Sequence, residues 1–207
     1  FAHRLPRFTL LDSPTRNVCQ QRNLGAENAQ AETLLFLDAD NRLEPHFLLG
    51  LKYRQEQSKA DFFTTWVKAE ENSLATQAAD TLINLYMERQ KNPPSPFGVE
   101  AAFGANRTQF LKLKGFDRSP CEGARLLKKA VTKKMTFAVF KDPTYSYSLR
   151  RVRKLGTFNA ISRYASTEIY RLLDLKLPKK KAASLYPMKG GNFYETEALR
   201  QSFFENI

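Results

Sequence analysis

The chain has 207 residues, 42% of them apolar, and a net charge of +12, which suits one large domain, or one domain with an appendage, and is too apolar for a disordered chain. No run approaches the roughly 20 apolar residues that cross a bilayer, and the opening "FAHRLPRF" lacks a signal peptide's apolar centre, so no membrane span is expected. The charge is regional: between Arg107 and Lys154 fourteen Lys or Arg stand against three acids, Asp117, Glu122 and Asp142, a patch suited to nucleotide diphosphates, lipid headgroups or nucleic acid, or simply a solvated face.

In chain order, "FTLLDS", Phe8 to Ser13, reads as a short buried strand stopped by Ser-Pro and ending at Asp12. Asn17 to Glu32 reads as a helix whose Ala26, Ala29 and Ala31 allow close packing on a sheet. "TLLFLDAD" follows as a second strand, apolar on both faces. Pro45 to Gln57 is a predicted helix with Phe47, Leu48, Leu51 and Tyr53 on its apolar face. "DFFTTWVKA" is rich in β-formers and reads as a third strand. A long helix from about Ser73 to Arg89 places Leu74, Ala78, Leu82, Leu85 and Tyr86 at helical spacing, and "KNPPSPFG" breaks it.

"VEAAFGANRTQFLKLKGFD" is expected to give a strand, a turn at Gly104-Ala-Asn106 and a short helix ending near Gly115. A helix over Glu122 to Lys134 and a strand over "MTFAVFKD" come next, with Asp142 closing the strand. Residues 157–207 read as a basic helical tail and an extended C-terminus. Ile169, Leu172, Leu173 and Leu175 lie there beside basic residues, so the tail can rest on an anionic membrane surface or pack on the main domain. The aromatics Phe116, Phe137, Phe140, Tyr145 and Tyr147 read as core rather than as platforms for bases, and nucleic acid is not an expected partner.

Alternating strands and helices imply an α/β sheet, whose ligands gather at the carboxyl ends of the strands. Asp12 and the pair Asp38 and Asp40 fall at such ends. Two carboxylates flanking one small residue can approach a single hard cation, Mg²⁺ or Mn²⁺, which keeps waters and shares itself with phosphates. Equally, Asp40 can cap the following turn while Asp38 bonds the backbone.

The run "RNLGAENAQAETLLFLDADNRLEP", followed by "GANRTQFLKLKGFD", resembles the family 2 glycosyltransferases of the GT-A fold over roughly Phe8 to Gly156. The resemblance implies a GT-A-like, Rossmann-like α/β domain over residues 1–156, with a mixed, mostly parallel sheet sandwiched by helices. It also implies transfer of a sugar from a nucleotide-diphosphate donor to a glycan or lipid-linked acceptor, with inversion, in cell-envelope or polysaccharide synthesis. By that likeness Asp12 faces the base or ribose, and Arg22 and Asn23 line the nucleotide pocket. Asp38 and Asp40 hold a divalent cation and the diphosphate, and Gly104 with Asn106 border the donor sugar. The departing nucleoside diphosphate gains negative charge, which a metal with Lys or Arg stabilises.

Three departures from the family pattern stand out. An acidic pair normally opens the helix after Gly-Phe-Asp, whereas "CEGARLL" aligns Glu122 with the first acid and Gly123 with the second. Glu122 is then the candidate general base, or a helix-start Glu favoured by the macrodipole. "DPTYSYSLRRVRKLG" carries no His where relatives place a further ligand, the only histidines being His3 and His46. Its Arg150 and Arg151 can instead hold the diphosphate, or belong to the basic surface. Finally, a first strand and helix of about 40 residues is expected ahead of "FTLLDS", and with Phe1 in place of an initiating Met the chain reads as a fragment or processed product. The two cysteines fit no metal or redox spacing, so a cytoplasmic setting, at or near the cytoplasmic membrane face, is expected. The alternative is a catalytically degenerate module that binds nucleotide sugar or polyanion without transfer.

Overall fold

The computed structural model describes residues 9–15, 17–92, 94, 96–117, 122–149, 157–173 and 175. Among them lie helices α1 (Val18–Asn28), α2 (Phe47–Ser58), α3 (Leu74–Arg89), α4 (Arg107–Lys112), α5 (Glu122–Thr132) and α6 (Thr157–Leu172). The strands are β1 (Thr33–Leu37), β2 (Asn41–Leu43), β3 (Phe62–Ala69), β4 (Ala102–Asn106) and β5 (Phe137–Tyr147).

Local chemistry sets the helix starts. The Asn17 side chain accepts from the Gln20 N–H at the head of α1, and Asn106 does the same from Gln109 for α4, each satisfying one of the free N–H groups of a first turn. Ser73 and Thr76 form a reciprocal capping box on α3. Because Asn106 is both the last residue of β4 and the cap of α4, the expected turn at Gly104-Ala-Asn106 does not exist: strand passes directly into helix.

The five strands form one sheet in the order β1-β4-β3-β5-β2. It is mixed, but only β3 and β5 run parallel, the other pairings being antiparallel, which corrects the expectation of a mostly parallel sheet. The reason lies in the Pro-rich segment after α3. That helix runs back along β3, with Asp80 accepting from the Ala69 N–H and Asn84 bonding both backbone groups of Val67. Residues 96–101 then pass Thr64, whose hydroxyl bonds the Val99 and Ala102 carbonyls. β4 therefore enters from the end where β1 and β3 finish, and Glu100 and Ala101 arrive beside Asp38.

Side chains alternate across the sheet. On one face Leu34, Phe36, Phe62, Phe103 and Ala105 pack with Cys19 and Ala26 of α1, Phe110 of α4 and Leu126, Leu127 and Ala130 of α5. On the other, Phe63, Val67, Phe140 and Tyr145 meet Phe47 and Leu51 of α2 and Met87 of α3. Helices thus cover both faces, as expected of this fold class, and Phe116, Phe140 and Tyr145 are core residues.

Two other sequence expectations are corrected. Residues 9–13 form no strand, and Leu10 is 77% exposed; β1 is the outermost strand in the sheet order, and this short segment, with Leu10 and Leu11 its only apolar residues, pairs with no described strand. Asp142 does not close its strand. It lies inside the 11-residue β5, ion-paired with Arg54, where a register irregularity between Thr65 and Val67 of β3 lets β5 carry extra residues. β2, three residues opposite Tyr145 to Tyr147, is too short for its period to show in sequence.

α6 docks on α3 through Arg171, which bonds Glu168 and the Tyr86 hydroxyl and lies 5.3 Å from the Phe97 ring. No helix among the described residues is long and apolar enough to cross a membrane.

Candidate active site

β1 ends at Leu37, and the next residue, Asp38, is anchored by its own N–H to the Ala101 carbonyl at 2.9 Å. Its carbonyl accepts from the Asn41 N–H at 3.1 Å, which shapes the turn that carries Asp40. This is the turn chemistry Asp and Asn favour. Asp40 itself is exposed.

Arg22, on α1 and only 11% exposed, organises the site. Its Nη2 lies 2.7 Å from Asp38 Oδ1, and its Nη1 lies 3.5 Å from Glu122 Oε1 and 3.8 Å from Glu100 Oε2. The guanidinium also rests 5.5 Å from the centre of the Phe116 ring. One planar, permanently charged fork with several donors can serve acids arriving from three directions. Three carboxyl groups separated by up to 84 positions in sequence are so gathered at the carboxyl end of β1.

Glu100 comes from the turn before β4 and accepts the Gly123 N–H at 2.8 Å. Burial raises its pKa, to about 8, and the charge of Glu122 adds to the rise against the opposing pull of Arg22 and the Gly123 N–H. Its carboxyl and that of Glu122 share the Arg22 Nη1 group, at 3.8 and 3.5 Å. Below, Cys19 is buried, its thiol pushed up to about 11 by burial and then by the charges of Glu122 and Glu100.

Asn23, next to Arg22, meets the backbone of the same Phe116. Its Nδ2 donates to the Phe116 carbonyl and its Oδ1 accepts from the Phe116 N–H, both at 2.9 Å. Gly115, at φ +64, is required there, since a Cβ would stand 2.4 Å from Asn23 Oδ1. An open cleft of about 510 Å³ runs alongside, lined by Ser13, Thr15, Asn23, Leu24, Phe116 and Asp117. Asp12 is exposed and precedes its first lining residue.

The structure therefore brings Arg22, Asp38 and Glu122 together, with Asp40 two residues along the turn and Asn23 on the adjoining cleft. It does not bring Gly104 or Asn106 to them. Gly104 is packed on the opposite face of the sheet, where a Cβ would stand 2.0 Å from the Phe63 ring. Asn106 pairs with Thr33, at the far end of β1 from Asp38. Arg150 and Arg151 lie outside the described residues. Sequence reasoning missed Glu100, whose one signal was a lone carboxylate just ahead of the apolar run "AAFGA".

As to a cation, no three His, Cys, Asp or Glu side chains among the described residues converge to hold one. The exposed Asp40 with Asp38, 41% exposed, supplies two carboxylates, a donor set that fits an ion completed by phosphate oxygens and water.

A family model described as glycosyl transferase family 2 matches residues 1–134. No curated protein matches the chain.

Proposed function

Since the chain belongs to glycosyl transferase family 2, we propose that this site moves a sugar, with inversion, from a nucleoside diphosphate donor to an acceptor hydroxyl of a glycan or lipid-linked molecule in cell-envelope or polysaccharide synthesis. The observation that supports the reading is the meeting of Arg22, Asp38 and Glu122 at the carboxyl end of β1.

Glu122 stands at the first turn of α5 and receives the acceptor's proton. The acceptor O–H breaks, its oxygen bonds to the anomeric carbon, and the bond from that carbon to the diphosphate breaks, its electron pair leaving with the nucleoside diphosphate. Arg22 keeps the carboxyl groups on one spot, and Asn23 fixes the Phe116 backbone beside the cleft that takes the nucleoside, with Asp12 at its rim. Asp38 and Asp40 would hold Mg²⁺ or Mn²⁺, which supplies charge neutralisation for the diphosphate. Titration with UDP and GDP in Mn²⁺ tests this: binding lost in Asp38→Ala and Asp40→Ala supports it, and binding unchanged in both rejects it.

Gly123, which lacks the family's second acid, favours a second reading in which the chain binds nucleotide sugar without transfer. Donor turnover that disappears in Glu122→Gln while nucleotide binding persists separates enzyme from binder. Peripheral contact with an anionic membrane on the cytoplasmic side belongs to the same proposal, supported by the exposure of Ile169, Leu172, Leu173 and Leu175. Co-sedimentation with phosphatidylglycerol vesicles but not with phosphatidylcholine vesicles tests it.

A further inference from the structure

We infer that Glu100 supplies, from the turn before β4, the carboxyl that position 123 lacks, and that it pairs with Glu122 as the acid–base unit of the site. The inference rests on the glycosyltransferase reading for its use, and on geometry for its existence.

Gly123 is buried in the first turn of α5, and a Cβ built there would lie 2.6 Å from Cγ, Cδ and Oε1 of Glu100. Real Cβ atoms do not approach so closely, so the Glu100 carboxyl occupies the room where a side chain at 123 would begin. The absence of an acid at 123 and the presence of one at 100 are two halves of one arrangement. Glu100 is also held by the Gly123 N–H, one of the free donors at a helix start, so its position is fixed relative to Glu122, the preceding residue.

The groups facing Glu100 are Glu122 and the Gly123 N–H from α5, and Arg22 and Cys19 from α1. Asp38 lies across the same guanidinium. Two carboxyl groups that share one nitrogen of a single cation do not both ionise readily, and the pair retains a proton. With that proton on Glu100, whose pKa is the raised one, the pair keeps one carboxylate to take the acceptor's proton. Glu100 is thus a positioning residue: it acts through Glu122, across the Arg22 nitrogen they share, by holding the proton of the pair.

An acid that binds its proton more tightly folded than unfolded weakens the fold as pH rises between the two pKa values. For Glu100 that window runs from the ordinary Glu value of 4.5 up to about 8. Gln at 100 keeps the acceptor for the Gly123 N–H but cannot titrate. The thermal midpoint of the unaltered chain is therefore expected to fall by several degrees relative to Glu100→Gln between pH 5 and 8. Parallel curves overturn the pair.

A swap tests the shared place. Gly123→Asp alone should lower the midpoint through collision with Glu100, and Glu100→Ala alone should cut turnover of UDP-glucose or GDP-mannose with Mn²⁺ at least tenfold. The double variant Glu100→Ala/Gly123→Asp should regain both stability and turnover. If it regains stability but no more turnover than Glu100→Ala, and Glu100→Gln retains a normal pH–rate profile, Glu100 is only a helix cap and the inference fails. If the unaltered chain binds neither UDP nor GDP, the glycosyltransferase reading fails, while the pH comparison still decides the carboxyl pair.

Discussion

The 2.7 Å contact from Arg22 Nη2 to Asp38 Oδ1 ties the middle of α1 to the end of β1. Through the same guanidinium, Glu100 and Glu122 are tied to both. The candidate site is thus built around one cation: each acid is supplied by a different element, and Arg22 is the only one of the four groups that contacts all the others.

Replacing Arg22 by Met leaves three carboxyl groups facing one another without a counter-charge. Breaking a fully buried ion pair in this way costs about 3–5 kcal/mol. Asp38 is 41% exposed and Glu100 can relieve the repulsion by holding its proton, so we expect a loss of about 2 kcal/mol. Urea unfolding at pH 7 measures it. Arg22→Lys should recover only part of the loss, because an ammonium cannot reach Asp38 and Glu122 with separate parallel donors. A loss below the experimental error in Arg22→Met would show the cluster to be an unimportant surface arrangement.

Much of this arrangement was legible before the structure, and the illegible part has a common cause. Asp38 at a strand end, Arg22 on a helix and Glu122 at a helix start each follow from local patterns. Their meeting does not, since Arg22 and Glu122 are 100 positions apart. β3 was readable from "FFTTWV", because β-formers buried on both faces need no partner to be recognised. "FTLLDS" was read as a strand in the same way, yet its described residues 9–13 form none, because a strand also requires a neighbour that local sequence cannot supply. Gly123 read alone was a lost acid. Only the fold reveals that Glu100 fills the space it leaves.

Asn23 is expected to matter as a clamp. Its amide makes two 2.9 Å hydrogen bonds to the backbone of Phe116, and Phe116 in turn lies beneath Arg22 and against Phe36 and Phe110. Asn23→Ala removes both bonds and should cost about 2 kcal/mol, at roughly 1 kcal/mol for each bond. Asn23→Asp should cost at least as much, since a carboxylate cannot donate to the Phe116 carbonyl and repels it. Differential calorimetry of the two variants checks the order. Asp milder than Ala would contradict the clamp.

Gly104 has two competing roles, neighbour of a donor sugar or close-packing residue, and substitution separates them. A methyl group there meets the Phe63 ring at 2.0 Å inside the core shared with Phe140 and Met87. Overpacking of this kind costs about 1–3 kcal/mol, and a rigid ring in a sheet puts the expected loss for Gly104→Ala at the upper end. Phe63→Leu made in the same chain should return a large share of it. If Gly104→Ala leaves the denaturation midpoint unchanged but abolishes nucleotide binding, the packing account is wrong.

Cys19 reports on the acid cluster from beneath. Burial, with the charges of Glu122 and Glu100, pushes its thiol up to about 11, against an ordinary value of 9.0. The thiolate is the reactive form, so at pH 8 alkylation of Cys19 by iodoacetamide, followed in a Cys121→Ser chain, should run roughly 100-fold slower than in urea-unfolded chain. The linkage has a definite sign: the folded state holds the thiol proton more tightly, so this group contributes stability below pH 9 that is lost as pH rises toward 11. Cys19→Ala should flatten that decline. Above pH 8, where Glu100 is ionised, Glu100→Gln removes one of the charges that hold the thiol protonated, and alkylation should accelerate. An alkylation rate indifferent to Glu100→Gln across pH 8 to 10 would place Cys19 outside the field of the carboxyl groups, and with it the account of α1 as the floor of this site.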